Sequence, residues 1–239
     1  MNRRRFLLTT TTLAAAAATS RTTNALAAEE SPKGLVIGKS KLQLPAKGSI
    51  PVALLVSAGL NVIDFSGPWG VFESVSVPGA DEAPFRLFTV AETAEVVVSG
   101  SGLKLVPHYT FANVPEVKVV VIPAQGGSDA MRDWLRKIVN TADVTMSVCT
   151  GAFHLAKAGL LSGKAATTHH EFLDKLAREF PDIDVKRGVR FVESDKISTA
   201  GGLTSGTDLA LRVVERYFGR EIAQSTATYM EYQGKGWIV

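Results

Sequence analysis

Residues 50–56, Ile50-Pro51-Val52-Ala53-Leu54-Leu55-Val56, form a continuous apolar run without polar alternation. Such a run predicts a strand buried on both faces. Further strands are expected at 85–90, 95–98, 103–106, 117–122 and 145–148. A short one is expected at 165–168, and a pair at 190–193 and 196–199 brackets the turn residues Ser194-Asp195. Helical spacing intervenes. Residues 130–139 place Met131, Leu135 and Ile138 on one face and Arg132, Asp133 and Arg136 outward. Residues 171–180 carry Phe172, Leu173, Leu176 and Phe180 before Pro181 stops them. Ser205 with Asp208 resembles a capping box for a helix through Leu209, Val213 and Tyr217 that ends at Gly219. A last short helix is expected over 221–229. Strands alternating with helices imply crossover connections, and so an α/β fold with a mainly parallel sheet and helices on both faces. Ligands of such sheets bind beyond the carboxyl ends of the strands.

This pattern occupies residues 49–239 as one expected domain. Before it, residues 28–48 are polar and punctuated by Pro32, Gly34, Pro45 and Gly48, and they are expected to form an arm. Residues 1–27 have the layout of a signal peptide. Arg3-Arg4-Arg5-Phe6-Leu7 fits a twin-arginine motif, a weakly apolar Thr/Ala-rich stretch follows, and Ala25-Leu26-Ala27 is a small-x-small cleavage site. The stretch lacks the run of about 20 strongly apolar residues that an anchor needs. Export to the periplasm is therefore expected, with no membrane attachment after cleavage.

Charge adds to this picture. The chain has 26 Lys and Arg against 23 Asp and Glu, a formal net charge of +3. The excess lies in residues 1–27, which hold Arg3, Arg4, Arg5 and Arg21 and no acid. The remainder is nearly neutral, which argues against nucleic acid as a partner, because phosphate binding needs a basic face. The one cysteine excludes an internal disulfide and a multi-cysteine zinc site, and no metal or cofactor is expected.

That cysteine lies in Thr145-Met146-Ser147-Val148-Cys149-Thr150-Gly151-Ala152-Phe153, an expected strand, turn and helix starting at Gly151. This is the layout of a nucleophile elbow. Small residues after Cys149 let the turn close, and the helix N-terminus is expected to lower the thiol pKa. The plainer alternative is a buried structural cysteine. Asp64, in Asn61-Val62-Ile63-Asp64-Phe65-Ser66-Gly67-Pro68, follows the first buried strand and should share the carboxyl edge with Cys149. Its apolar neighbours suit a raised pKa and proton transfer, whereas the bland role is a helix N-cap. Pro123-Ala124-Gln125-Gly126-Gly127 ends another strand there. Gly126 and Gly127 are candidate sources of backbone N–H groups for a developing anion, or a plain turn. His169 and His170 could reach the pocket, whereas His154 is expected to point away from the sulfur and His108 to lie at the surface. Gly201-Gly202-Leu203-Thr204-Ser205-Gly206 lacks the Lys of a P-loop and is expected to be a turn and helix start.

Several segments together resemble the DJ-1/PfpI superfamily over residues 50–232. They are Ile63-Asp64-Phe65-Ser66-Gly67-Pro68 with Val71-Phe72-Glu73, Ser147 through Phe153, Ala158-Gly159-Leu160-Leu161-Ser162-Gly163-Lys164, Ala166-Thr167-Thr168-His169 and Ala200 through Leu211. The superfamily fold is class I glutamine-amidotransferase-like, in keeping with a flavodoxin-like sheet and a nucleophile elbow after a central strand. The set is similar to the isonitrile hydratase branch and to the sensor domain of AraC-type regulators. The resemblance implies Cys149 as nucleophile, Asp64 as acid/base and Thr150 beside them. Gly126, Gly127, Gly151 and His169 would line a pocket for a small-molecule substrate. Protease-like relatives carry His after the Cys, where this chain has Thr150, which tells against peptidase activity. Family members commonly dimerise, so a homodimer is expected, and the apolar faces of the C-terminal helices would permit it. Two other functions are weighed. One is a noncatalytic periplasmic ligand or redox sensor; the other is a glyoxalase-like activity, disfavoured because those relatives carry Glu where Asp64 stands.

Overall fold

The computed structural model describes residues 33–37, 41–45 and 47–239, so the signal-peptide reading and the first part of the arm lie outside the described residues. β1 (Leu35–Ile37) comes first, then β2 (Ile50–Leu55) and α1 (Val62–Glu73). β3 (Phe85–Ala91) leads into β4 (Val97–Val98), β5 (Lys104–Leu105), β6 (Tyr109–Thr110) and β7 (Val119–Ile122). α2 (Asp129–Ile138) and β8 (Val144–Ser147) precede a tight 3-10 turn at Cys149–Gly151 and α3 (Ala152–Lys157). β9 (Ala165–Ala166), a second such turn at His170–Phe172, α4 (Leu173–Glu179) and β10 (Asp184–Val185) follow. β11 (Phe191–Ser194), β12 (Ile197–Ala200), α5 (Ser205–Phe218) and α6 (Arg220–Tyr229) complete the chain.

Eight strands form the main sheet in the order β1-β11-β12-β8-β7-β2-β3-β6. Neighbours run parallel, with Val52 beside Val119, Val121 beside Met146 and Ser198 beside Met146. The exception is the β11–β12 hairpin, which is antiparallel. Alternate residues of the central strands feed two cores. Val52, Leu54, Val121 and Met146 pack with Val71, Phe72, Leu209 and Val213 on one face. Ala53, Leu55, Val120 and Ile122 pack with Met131, Trp134, Leu155 and Leu176 on the other. Each fully buried Val, Leu, Ile or Met contributes about 1.5–3 kcal/mol of transfer free energy. The apolar run at 50–56 is continuous because both faces are covered.

Several expectations are corrected. Part of the expected polar arm, Leu35–Ile37, is an edge strand paired with β11. The strands expected at 95–98 and 103–106 form a small antiparallel hairpin outside the main sheet. The strand expected at 165–168 is two residues long and pairs with β10 instead. α1 is capped by Asn61, whose side chain accepts the Ile63 N–H, so Asp64 is free of the capping role. Gly67-Pro68 lies inside α1 and hid it from the sequence pattern. There, a Cβ on Gly67 would come within 2.9 Å of Thr207 Oγ1 on α5, so the glycine permits close helix packing. The buried residues of α6, Ala223, Thr226 and Ala227, face the protein's own interior, whereas Tyr229 on the same helix is exposed.

Candidate active site

β8 is buried along its length and stops at Val148, whose N–H donates to Ile122 O at 2.9 Å. Cys149 then takes φ = +57°, a left-handed conformation that costs a non-glycine residue about 1–2 kcal/mol. Two bonds hold it there. Cys149 N–H donates to Gly201 O at 2.8 Å, and Thr168 Oγ1 donates to Cys149 O at 2.8 Å. Gly151 is required because a Cβ there would collide with the carbonyl oxygen of Ile122. The chain can thus turn from β8 into α3 directly against β7. Thr150, between them, is half-buried.

Asp64 reaches the same place from the first turn of α1 and is fully buried. Its Oδ2 accepts the Ala124 N–H at 3.1 Å, and its Oδ1 has no hydrogen bond. Burial raises its pKa to about 6, while the Ala124 N–H, the Cys149 thiol and the Leu203 N–H pull the other way. Cys149 is only 7% exposed. Burial pushes its thiol up to about 11, the charge of Asp64 adds to the rise, and the N–H groups of Thr150 and Leu203 oppose it. The expected lowering of the thiol pKa is therefore corrected: desolvation and a facing carboxylate outweigh the N–H groups of one tight turn. Between about 6 and 11 the pair rests as carboxylate and thiol. A buried base then faces a protonated nucleophile, an arrangement suited to proton transfer during attack.

The glycine loop plays a different part from the one expected. Gly126 N–H donates to Ala58 O at 2.8 Å, and Gly126 O accepts from Ser57 Oγ at 2.6 Å. Its N–H is therefore engaged and not free for a substrate anion. Gly127 gives room to His154, whose ring would lie 2.6 Å from a Cβ there. His154 Nε2 donates to Gln125 O at 3.1 Å, which fixes the tautomer, and burial lowers the His154 pKa and favours the neutral ring. His154 thus ties α3 to the loop that supplies the Ala124 N–H. His169 accepts the Glu171 N–H at Nδ1, packs on Gly202 and stacks on His170 with ring centres 4.4 Å apart. It borders a cavity of about 350 Å³ shared with Thr168, Arg190, Leu203 and Thr204. Among the described residues, no hydrogen bond joins His169 to Cys149 or Asp64. No group of three or more His, Cys, Asp or Glu side chains able to hold a metal occurs among the described residues.

Cys149 and Asp64 therefore converge, with the Thr150 N–H beside the sulfur and Gly151 as the hinge that allows the turn. Leu203 and Ala124 were missed by sequence reasoning. Leu203 is held at φ = +53°, in the loop read as a simple turn, and its N–H acts on both reactive groups. A backbone N–H leaves no trace in residue identity, and the neighbouring Gly201-Gly202 was the one available signal.

The profile of the DJ-1/PfpI family matches residues 51–216. The chain is 30% identical over 190 residues to isonitrile hydratase of Pseudomonas putida, covering 77% of this chain and 79% of that one. A crystal structure of a THiJ/PfpI family protein from Pseudomonas syringae is similar with a TM-score of 0.67 at 29% identity, over 80% of this chain and 78% of that one. An AraC family transcriptional regulator from Pseudomonas putida shares the fold at 18% identity, with a TM-score of 0.67 over 76% of this chain and 99% of that one.

Proposed function

The chain belongs to the DJ-1/PfpI family, and from that premise we propose that it is an exported, isonitrile hydratase-like lyase that converts isonitriles to N-substituted formamides. The observation that carries the reading is the buried Asp64 carboxylate facing the Cys149 thiol, with the Leu203 and Thr150 N–H groups beside them. Asp64 takes the thiol proton as sulfur bonds to the terminal carbon of the isonitrile, and it delivers that proton to the same carbon. The product is a thioimidate, R–N=CH–S–Cys149. Water then adds across the carbon–nitrogen bond: Asp64 takes one proton as oxygen bonds to carbon and passes it to nitrogen. Collapse breaks the carbon–sulfur bond, returns a proton to sulfur and releases R–NH–CHO. Overall, one water is consumed per isonitrile and no oxidant or reductant is needed. The N–H groups that favour the thiolate stabilise charge on sulfur as it forms and leaves.

Oxidation sensing is the weaker reading, because a redox-sensing thiol is exposed and acidic, whereas Cys149 is buried and its pKa is raised. The proposal extends to passage through the twin-arginine route with cleavage after Ala27, and to a homodimer. N-terminal sequencing of the periplasmic protein and sedimentation would test these two points. For the chemistry, purified protein is incubated with a small aliphatic isonitrile while formamide is followed by NMR. Turnover is expected in the wild type and none in Cys149→Ala. A fully active Cys149→Ala would overturn the reading.

A further inference from the structure

The loop that carries Leu203 is held from behind by one arginine. Gly201-Gly202-Leu203-Thr204 joins β12 to α5. At its start, Gly201 N–H donates to Arg190 O at 2.9 Å, while Gly201 O accepts the Cys149 N–H. At its end, Arg190 Nη2 donates to Thr204 Oγ1 at 3.0 Å, and Arg190 Nε donates to Asp208 Oδ2 at 2.6 Å in the first turn of α5. Leu203 lies between these two attachments at φ = +53°, with its side chain 40% exposed. A left-handed leucine that buries so little gains little from packing, so its conformation depends on what fixes the loop ends.

The arginine is itself fixed. Its partner Asp208 is 1% exposed and also accepts from Tyr232 Oη at 3.1 Å. Arg190 N–H donates to Lys33 O at 2.9 Å, and a Cβ on Gly236 would lie 2.6 Å from Arg190 Cγ.

We propose that Arg190 is a positioning residue of the reactive site: its carbonyl holds Gly201, its guanidinium holds Thr204 and Asp208, and together they fix the loop whose Gly201 O accepts the Cys149 N–H. The inference rests on Cys149 and Asp64 being the reactive pair, not on which substrate they take. The Leu203 N–H favours the anionic form of both groups. Releasing the loop therefore makes both harder to ionise, so the thiolate becomes rarer at a given pH. A purely structural ion pair would alter stability and leave that pH dependence in place.

The test is the rate of Cys149 alkylation by iodoacetamide from pH 5 to 10, with urea unfolding measured alongside. Three variants are compared with the wild type: Thr204→Val, Arg190→Lys and the doubly neutral Arg190→Met/Asp208→Asn. At pH 7 the double variant is expected to alkylate about 3- to 10-fold more slowly, with its profile displaced to higher pH. Thr204→Val, which removes only the hydroxyl acceptor, shifts the same way by less, and Arg190→Lys falls between. If the double variant fails to fold, Thr204→Val decides alone. Folded variants with the wild-type profile would overturn the proposal. Because alkylation needs no isonitrile, absent formamide alongside a displaced variant profile removes the substrate reading and keeps the clamp. Formamide production with an unmoved profile removes only the clamp.

Discussion

Asp64 raises the pKa of the thiol it would deprotonate, and that opposition gives its removal two separable effects. Asp64→Asn takes away the charge facing Cys149, so iodoacetamide alkylation at pH 8 should become faster, by about 3-fold or more. Formamide production should nonetheless fall by 100-fold or more, because the general base is gone (about 10²–10⁴ is typical of such a loss). A slower alkylation in the variant would show that the carboxylate does not face the thiol. Stability carries the same signature. Asp64 binds its proton more tightly folded than unfolded, its pKa rising from 3.8 to about 6. Its contribution is fully present below 3.8 and is lost as pH rises through about 6. Measured against Asp64→Asn, the wild type should lose about 2 kcal/mol of unfolding free energy between pH 4.5 and 7.5. The identities of this pair were legible in the sequence, since an elbow pattern and a carboxyl at the same sheet edge are local signals. Their proton affinities were not, because the burial that sets them comes from α1 and the Leu203 loop, which are distant along the chain.

At the scale of elements, the site depends on how closely backbones approach. The strand–turn–helix around Cys149 was readable from buried β8 residues followed by Thr150-Gly151. α1 was not, because Gly67 and Pro68 lower helix propensity while the packing they permit is tertiary. Gly206 makes the corresponding approach from α5, where a Cβ would lie 2.8 Å from Val148 Cγ2, next to the nucleophile. Gly151→Ala tests the tightest of these contacts. The added methyl meets the Ile122 carbonyl, a backbone group of a central strand that cannot swing aside. The turn must then lift from β7, carrying Cys149 away from Asp64. Urea unfolding should show a loss of about 1–3 kcal/mol, the usual cost of overpacking. Formamide production should fall more than that loss of stability explains. A variant with wild-type stability and turnover would contradict the close approach of the elbow to β7.

For the whole molecule, the two ends of the described chain meet beside Arg190. Gly34 N–H donates to Gly236 O at 2.9 Å, and Gly34 has no side chain because the Phe191 ring occupies that space. Leu35–Ile37 then pairs with β11, so the proposed cleavage after Ala27 leaves this strand in place. The sequence showed this stretch only as a polar arm, since an edge strand of three residues has no periodicity to detect. From the other end, Trp237 is fully buried, the Arg220 guanidinium lies 5.3 Å from its ring centre, and its Nε1 donates to Gly234 O. Trp237→Ala should cost about 3–5 kcal/mol, read as a lower urea midpoint. Adjacent Gly236 rests on Arg190 and Asp208, so loosening the tail should also loosen the clamp on the Leu203 loop. The alkylation profile of Cys149 in folded Trp237→Ala is therefore expected to move to higher pH, as in Thr204→Val. A lower midpoint with an unmoved profile would confine the tail to a structural role. A lower midpoint with a moved profile would link the chain end, through Gly236 and Arg190, to the acidity of the buried thiol.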